Sequence, residues 1–401
     1  MRTSPPGSPD DHRAAVRFIL CFGLVSLFAD MTYEGAHSIV GPLLKGLGAS
    51  AAAVGIIAGF GEMVAASLRY FSGRFADQTR AYWKIAIAGY AINLVAVPAL
   101  ALVGTWQAAA ALIIVERAGK AMRGPSRDVL ISEANDVVGH GFGWGVHAAM
   151  DQIGAIAGPL MVAAIVAYTH DFGPAFLTLG IPATLALAAV FLARRARPQF
   201  AIPKGPPPAA DLPRVFWPYV AASGMLAAGF LDFPLMAYHF EAQKLFATEV
   251  IPLLYAGAMA TEGVAAMAFG RLYDRFGISV LVLGIALSLA ALPLAFLGGA
   301  AGAIASVVCW GIGMGAQDAT LRSGIARVVS MNKRGTAFGT FNAVFGVMWF
   351  LGSAAMGLLY DQSLVLLVAF GVAAQIIAAT LFLSVRGRLE PPASHLPPVA
   401  R

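Results

Sequence analysis

Charge is what this sequence has least of. Only 12% of its 401 residues are Asp, Glu, Lys or Arg, while 59% are hydrophobic. A soluble domain carries about 25% charged residues, so the chain holds half of what a water-facing surface needs. That excludes a cytosolic enzyme, a nucleic-acid reader and a disordered hub. Cysteine is scarce too. Cys21 and Cys309 fall in apolar runs far apart, and such a pair builds neither a disulfide framework nor a metal site. No His-Glu-x-x-His or Gly-x-Ser-Gly sequence occurs, so a zinc peptidase and a serine hydrolase are not expected. The opening MRTSPPGSPDDHR is polar and proline-rich, and the apolar run after it carries acids and no small-residue cleavage site. A first transmembrane helix is expected there, not a removed leader.

Twelve apolar runs stand between Gly, Pro or charged breaks. They cover roughly residues 15–38, 50–72, 83–104, 107–129, 142–168, 173–193, 214–240, 249–271, 277–298, 302–326, 336–359 and 363–385. A membrane helix takes about 20 residues, so twelve use roughly 240 positions and leave short loops, two tails and one linker. The linker is RRARPQFAIPKGPPPAADLPR, the most polar and proline-rich internal stretch. The predicted division is a tail at 1–14, a six-helix half at 15–193, the linker at 194–213, a second six-helix half at 214–385 and a tail at 386–401.

Basic residues set the orientation. Arg13 and Arg17, Arg74 to Lys84, Arg123 and Arg127, Arg194 to Arg214, Arg271 and Arg275, Arg327 to Arg334, and Arg386 and Arg388 fall on one side. The other side has only Lys45 and Lys244. The positive-inside rule puts both termini and the linker in the cytoplasm of a multi-pass protein of the cell (inner) membrane. The net charge of +6 is spread over loops, so no nucleic-acid partner is expected.

The two halves repeat each other. FADMTYEGAH in span one places Asp30 and His37 seven residues apart; FLDFPLMAYH in span seven places Asp232 and His239 at the same spacing, 202 residues on. Glu62 is followed by MVAA and Glu262, 200 residues on, by GVAA. The helix ends that follow read GRFADQ (Gly73 to Gln78) and GRLYDRFG (Gly270 to Gly277), and GFGWGVHAAM in span five echoes RGTAFGTFNAV in span eleven. Both copies start on the same side, so they are parallel repeats about an axis along the membrane normal. A charge at the bilayer centre costs about 2.5–3.5 kcal/mol, and spans three, six, nine and twelve carry none in their interiors. Those four are expected to face lipid while the others line a central path.

These features resemble the major facilitator superfamily of secondary transporters, over essentially all of the chain after residue 14. The family's Gly-x-x-x-Asp-Arg-x-Gly loop is similar to Gly270–Gly277, with Asp274 and Arg275 in place. The first copy keeps Gly73, Arg74 and Asp77 but has Gln78 and Arg80 where a basic residue and a glycine are usual. ERAGKAMRG resembles the Arg-x-x-Gln-Gly element, with Arg117 in place and Lys120 for Gln. GAIAGPL (Gly154, Gly158, Pro159) is similar to the Gly-x-x-x-Gly-Pro element of proton-coupled exporters. The resemblance implies an all-α integral membrane protein, with twelve transmembrane helices in two pseudo-symmetric six-helix halves. It also implies alternating access, a monomer in the bilayer, and gating by Gly73, Arg74, Asp77, Gly270, Asp274 and Arg275.

Asp30, Glu34 and His37 lie at i, i+4 and i+7 and share one face of helix one. With Glu62, Asp232, His239 and Glu262 they are candidates to bind a proton or a cation. His147 and Asp151, one turn apart in span five, form a relay or simply pair. The competing reading is that these groups only hydrogen-bond to neighbouring helices. Pro234 beside Asp232 removes a backbone bond, and broken helices at mid-membrane often form binding sites. Arg117 and Lys120 are positioned to meet an anionic substrate or a facing acid, and with Tyr33, Tyr238, Asp318, Phe341, Asn342 and Trp349 they are candidates for a substrate pocket. Arg123 and Arg127 read as ordinary positive-inside residues at the helix exit.

The expected function is proton-coupled transport, by export, of a small organic solute, with no cofactor and no catalytic residue. An alternative is a ferroportin-like carrier with Asp30, His37, Asp232 and His239 as divalent-metal ligands; another is a lipid flippase. A membrane enzyme would gather its acids in one place, whereas these are expected over both halves.

Overall fold

Proline decides where several helices break, because its ring clashes with the carbonyl four residues earlier. Span seven parts into α8 (Phe216–Gly229) and α9 (Phe233–Ala242) at Phe230, four before Pro234. Span nine parts into α11 (Ser279–Ser288) and α12 (Ala291–Leu297) at Leu289, four before Pro293. Span six, with Pro182, parts into α6 (Phe172–Thr178) and α7 (Gly180–Arg195). The computed structural model describes residues 9–195, 212–329 and 334–389. Residues 1–8 of the expected first tail, 196–211 of the linker, 330–333 of a basic loop and 390–401 of the last tail lie outside the described residues.

The remaining helices are α1 (Pro9–Gly46), α2 (Ala51–Thr79), α3 (Tyr82–Ala99) with a 3₁₀ turn (Leu100–Leu102), α4 (Trp106–Val138), α5 (His140–Thr169), α10 (Val250–Phe276), α13 (Gly299–Val328), α14 (Arg334–Gln362) and α15 (Leu364–Leu389). No strand occurs among the described residues. Ser50 and Thr105 start α2 and α4 by accepting the amide N–H of Ala53 and Ala108, the usual cap. Eleven segments among the described residues are long and apolar enough to cross a bilayer. The twelfth expected span is α4, which is too charged to qualify by hydropathy. Its 33 residues run roughly 50 Å at 1.5 Å per residue, well past a bilayer core of about 30 Å. Leu102, Tyr168, Ile181, Val264 and Phe71 stand mostly exposed, as lipid-facing side chains do.

Contacts within the chain divide it into two compact units. One is Met1–Gly205 with Asp232–Ala260; the other is Pro206–Leu231 with Thr261–Arg401. The break in span seven is therefore also a unit boundary, and α9 with the first turns of α10 belongs to the first unit. There α9 lies on α1 so closely that a Cβ on Gly41 would meet the Pro234 carbonyl and, at 2.8 Å, the Tyr238 nitrogen. In the second unit, side chains satisfy carbonyls freed by the break. Trp310 Nε1 donates to the Leu231 carbonyl (2.6 Å) and Gln375 Nε2 to that of Gly229 (2.9 Å).

The internal repeat is built into the packing of each unit. Gly23 of α1 lies against Met150 and Val146 of α5; Gly224 of α8 lies against Met348 and Val344 of α14. Gly154 of α5 meets the Leu27 carbonyl, and Gly352 of α14 meets that of Ala228. Gly119 of α4 meets Asn93 of α3 as Gly313 of α13 meets Ser288 of α11. In lipid there is little hydrophobic drive between helices, and such small residues allow the close approach that holds them.

One copy carries strain that the other avoids. Gly277, at the end of GRLYDRFG, is left-handed (φ 63°), and its counterpart Arg80 adopts φ 53° as the C-cap of α2. A side chain in that region costs about 1–2 kcal/mol. Arg80→Gly is expected to raise stability by about 1 kcal/mol, read as a higher unfolding temperature in detergent. An unchanged or lower midpoint would mean that the Arg80 side chain offsets its own strain.

Candidate functional site

Helix α4 supplies the charge. It carries Glu116, Arg117, Lys120 and Arg123 on consecutive turns, while the matching positions of α13, set by the Gly119 and Gly313 contacts, hold Trp310, Gly311, Met314 and Gln317. The backbone repeats and the charges do not. Charges in an apolar bundle persist only where partners compensate them. Arg117 Nη2 lies 2.8 Å from His37 Nδ1 and 3.5 Å from Glu62 Oε1; its Nε is 3.5 Å from Glu116 Oε2. Arginine only donates, so a neutral His37 accepts at Nδ1 and keeps its proton on Nε2. Asn93 donates to the other oxygen of Glu116 at 2.6 Å.

One turn further, Lys120 Nζ is 3.8 Å from Glu34 Oε1 and 3.5 Å from the centre of the Tyr33 ring. The Tyr255 hydroxyl donates to Glu34 Oε2 at 2.5 Å, and the Phe233 ring packs on Tyr255 at 4.4 Å. Gln152 Nε2 donates to the Met259 carbonyl at 2.5 Å. Glu34 and Gln152 thus tie α1 and α5 to the first turns of α10, inside the first unit. His37, Arg117, Val54, Ile113 and Pro234 help line a small recess with room for about one water molecule.

Arg123 corrects an expectation. It is not a loop-facing residue at a helix exit: it is 2% exposed, with the Tyr90 ring 4.4 Å and the Tyr33 ring 5.6 Å from its guanidinium carbon. The reason is that α4 continues to Val138, beyond the expected end at 129. Arg127 is partly buried and pairs with its neighbour Asp128 at 2.8 Å.

Asp30 is 5% exposed on α1, its Cβ 3.0 Å from where a Gly154 Cβ would lie. Among the described residues no cation comes within 4.0 Å of its carboxylate. His147 Nδ1 is 2.9 Å from Ser26 Oγ and its Nε2 3.5 Å from Asp151 Oδ2. Asp232, at the N-cap position of α9, and His239 are both buried. Eight of the nine expected proton or cation groups therefore lie in the first unit, and Glu262 lies in the second. The expected even spread over two halves does not hold for the folded units. Among the described residues no group of three or more His, Cys, Asp or Glu is placed to hold a metal ion.

The expected pocket residues divide likewise. Tyr33, Arg117, Lys120 and the partly buried Tyr238 belong to the first unit. In the second, Phe341, Phe345 and Trp349 stack along α14 at 5.4 and 5.6 Å, and Trp349 continues to Phe230 at 5.8 Å. Asn342 is partly buried on that helix, and Asp318 is exposed. At the gating loops, Gly73 of α2 packs on Pro125 and exposed Asp77 accepts the Tyr82 hydroxyl at 2.9 Å. Arg74 and Asp274 are exposed, Gly270 abuts Ala319, and Arg275 lies 5.2 Å from the Phe276 ring. Asn93, Tyr90, Gln152 and Tyr255 complete the cluster without having been expected. Asn93, an amide inside an otherwise uncharged span, was the one visible signal among them.

Comparison with known proteins agrees with this architecture. The family model described as Major Facilitator Superfamily matches residues 21–353 and again 232–401. An uncharacterized protein of Mycobacterium tuberculosis is 38% identical over 384 residues, covering 93% of this chain and 94% of its own. An uncharacterized MFS-type transporter of Methanocaldococcus jannaschii is 24% identical over 395 residues, covering 93% and 96%. Among solved structures, the nucleoside transporter NupG superposes with a TM-score of 0.71 at 14% identity, covering 92% of this chain and 99% of that one. A bacterial homologue of the human lysosomal transporter Spinster, inward-facing and unoccupied, superposes with a TM-score of 0.69 at 14% identity, covering 98% and 100%. The concentration of acids in one unit removes the argument from symmetry against an enzyme. The chain belongs to the Major Facilitator Superfamily, as a multi-pass membrane transporter.

Proposed function

We propose that the protein is a proton-coupled secondary transporter of a small organic solute. It works by alternating access between the halves 15–193 and 214–385, with both termini and the linker in the cytoplasm. One observation carries this reading: the polar cluster of the first unit, where Asp30, Glu34, Glu62, Glu116 and Asp151 stand against Arg117, Lys120 and Arg123. Asp30 is buried on α1 with no cation within 4.0 Å among the described residues, and an uncompensated buried charge is costly. A bound proton offsets that cost, and its uptake or release changes which groups pair.

Glu34 is the coupling point in this reading. It holds Lys120 and Tyr255 together, and Tyr255 sits on the α10 turns that follow the segment docked on α1. A protonated Glu34 releases Lys120 and loosens that end of α10. The glycines of GAIAGPL seat α5 against α1, a contact that serves import and export alike.

The test uses purified protein in liposomes with an imposed pH gradient, a pH-reporting dye and solutes added one at a time. A solute-triggered proton flux is expected, lost in Asp30→Asn and reduced at least about tenfold in Glu34→Gln. Full dependence on the pH gradient in a variant carrying both Asp30→Asn and Glu34→Gln would overturn the proposal. A response to Mn²⁺, Fe²⁺ or Zn²⁺ alone would replace it with metal transport.

A further inference from the structure

We infer that the solute is an organic anion, whose carboxylate or phosphate oxygens are held by Arg123 and Lys120 beside Tyr33 and Tyr90. The inference rests on the transporter reading above and names its substrate class. Arg123 is almost wholly buried, yet its Nε and Nη1 have no hydrogen-bond partner. A guanidinium keeps its charge and only donates. Buried donors without partners are rare in folded proteins. The two tyrosine rings offer π faces to the cation, and the Tyr90 hydroxyl also interacts with the guanidinium, yet Nε and Nη1 stay without an acceptor. Asp30 feels the charges of Arg123 and Lys120, but no ion pair forms between Asp30 and either of them. The fork is left open for an acceptor that arrives from outside.

Three more observations point the same way. Lys120 and Arg123 lie at i and i+3, hence on one face of α4, and both sit against the single ring of Tyr33. Lys120 is held by a long pair, to Glu34 at 3.8 Å, which a closer ligand oxygen can replace. The repeat excludes a purely architectural reason: the same helix crossing in the second unit is built with Met314 and Gln317, and Gln317 is satisfied by the Gly313 carbonyl on its own helix. The crossing does not need two cations. A planar guanidinium fork beside an ammonium suits a bidentate oxyanion. An anion that takes over these cations leaves Asp30 and Glu34 uncompensated, so anion and proton enter together.

The experiment is calorimetric binding to the purified protein in detergent. Lactate, succinate and benzoate form the carboxylate arm, inorganic phosphate and glucose 6-phosphate the phosphate arm, with glucose and tetraphenylphosphonium as neutral and cationic probes. At least one anion is expected to bind, and the two arms show which oxyanion is preferred. Arg123→Gln should weaken that binding about 30-fold or more, and Arg123→Lys, which keeps the charge but loses the fork, about tenfold. Lys120→Gln, a less buried site, carries the test if the Arg123 variants do not fold. Its loss of anion binding at an unchanged unfolding temperature marks a ligand contact, not a structural one. The inference is overturned if no anion binds the wild type, or if affinity is unchanged in Lys120→Gln. Proton flux driven by glucose or tetraphenylphosphonium would overturn the anion assignment and leave proton coupling standing. Anion exchange without proton flux would do the reverse.

Discussion

Gly352→Leu will leave no folded protein to purify, whereas leucine at Gly145 will be tolerated. A Cβ on Gly352 would meet the carbonyl oxygen, carbonyl carbon and Cα of Ala228. These are backbone atoms of α8 in its last turn before the span-seven break, and no rotamer change moves them aside. Displacing that turn also pulls Gly229 away from Gln375, which holds its carbonyl, and from Gly371 and Ala374, against which it packs. Overpacking that side chains can absorb costs about 1–3 kcal/mol. Here the backbone must move and further contacts are lost, against a total stability of about 5–15 kcal/mol. Gly154→Leu should fail in the same way, since Gly154 meets the Leu27 carbonyl at the matching place of the first unit. Nothing lies within 4 Å of a Cβ at Gly145. Fluorescence-detected size exclusion of detergent extracts checks this: the symmetric peak should vanish in both close-packed variants and persist in Gly145→Leu. A symmetric peak from Gly352→Leu would show that the α8–α14 contact is not structural.

Much of this was legible in the sequence, for definable reasons. The duplicated Asp30–His37 and Asp232–His239 spacing revealed the repeat because homologous helices keep their register, and the paired glycine contacts recur at similar offsets. Pro234 announced the break in span seven through its missing N–H and its ring. Arg123 was not legible. The positive-inside rule reads any arginine near an apolar run's end as leaving the bilayer, and nothing local says that α4 runs nine residues beyond the expected end at 129. The grouping of Asp232 and His239 with the first unit was hidden for another reason. Chain order puts them in the second half, and only the docking of α9 on α1 at Gly41 transfers them.

Arg117→Met is the other change with a large expected effect, and a double-mutant cycle separates its causes. The substitution takes the cation from Glu62, Glu116 and the acceptor nitrogen of His37 together. The side chain of Glu62 is 36% exposed and can be hydrated when left alone. Glu116 is buried and keeps only the hydrogen bond from Asn93. Breaking a buried pair from one side costs about 3–5 kcal/mol, because a charge is left without compensation; here the stranded charge is Glu116. Glu116→Gln alone should cost about 1 kcal/mol, since the amide oxygen still accepts from Asn93 and Arg117 retains Glu62 and His37. Combined with Arg117→Met it removes the stranded charge, so the pair should be more stable than the sum of the singles by about 1–3 kcal/mol. Unfolding temperatures of the four proteins in detergent measure that coupling. Simple additivity would mean that Arg117 is compensated mainly by Glu62 and that Glu116 belongs to Asn93. Transport then divides scaffold from mechanism. A double variant that regains stability yet moves no solute and no protons assigns Arg117 a part in the transport cycle, whereas recovered flux would make the buried Arg117–Glu116 pair a packing device.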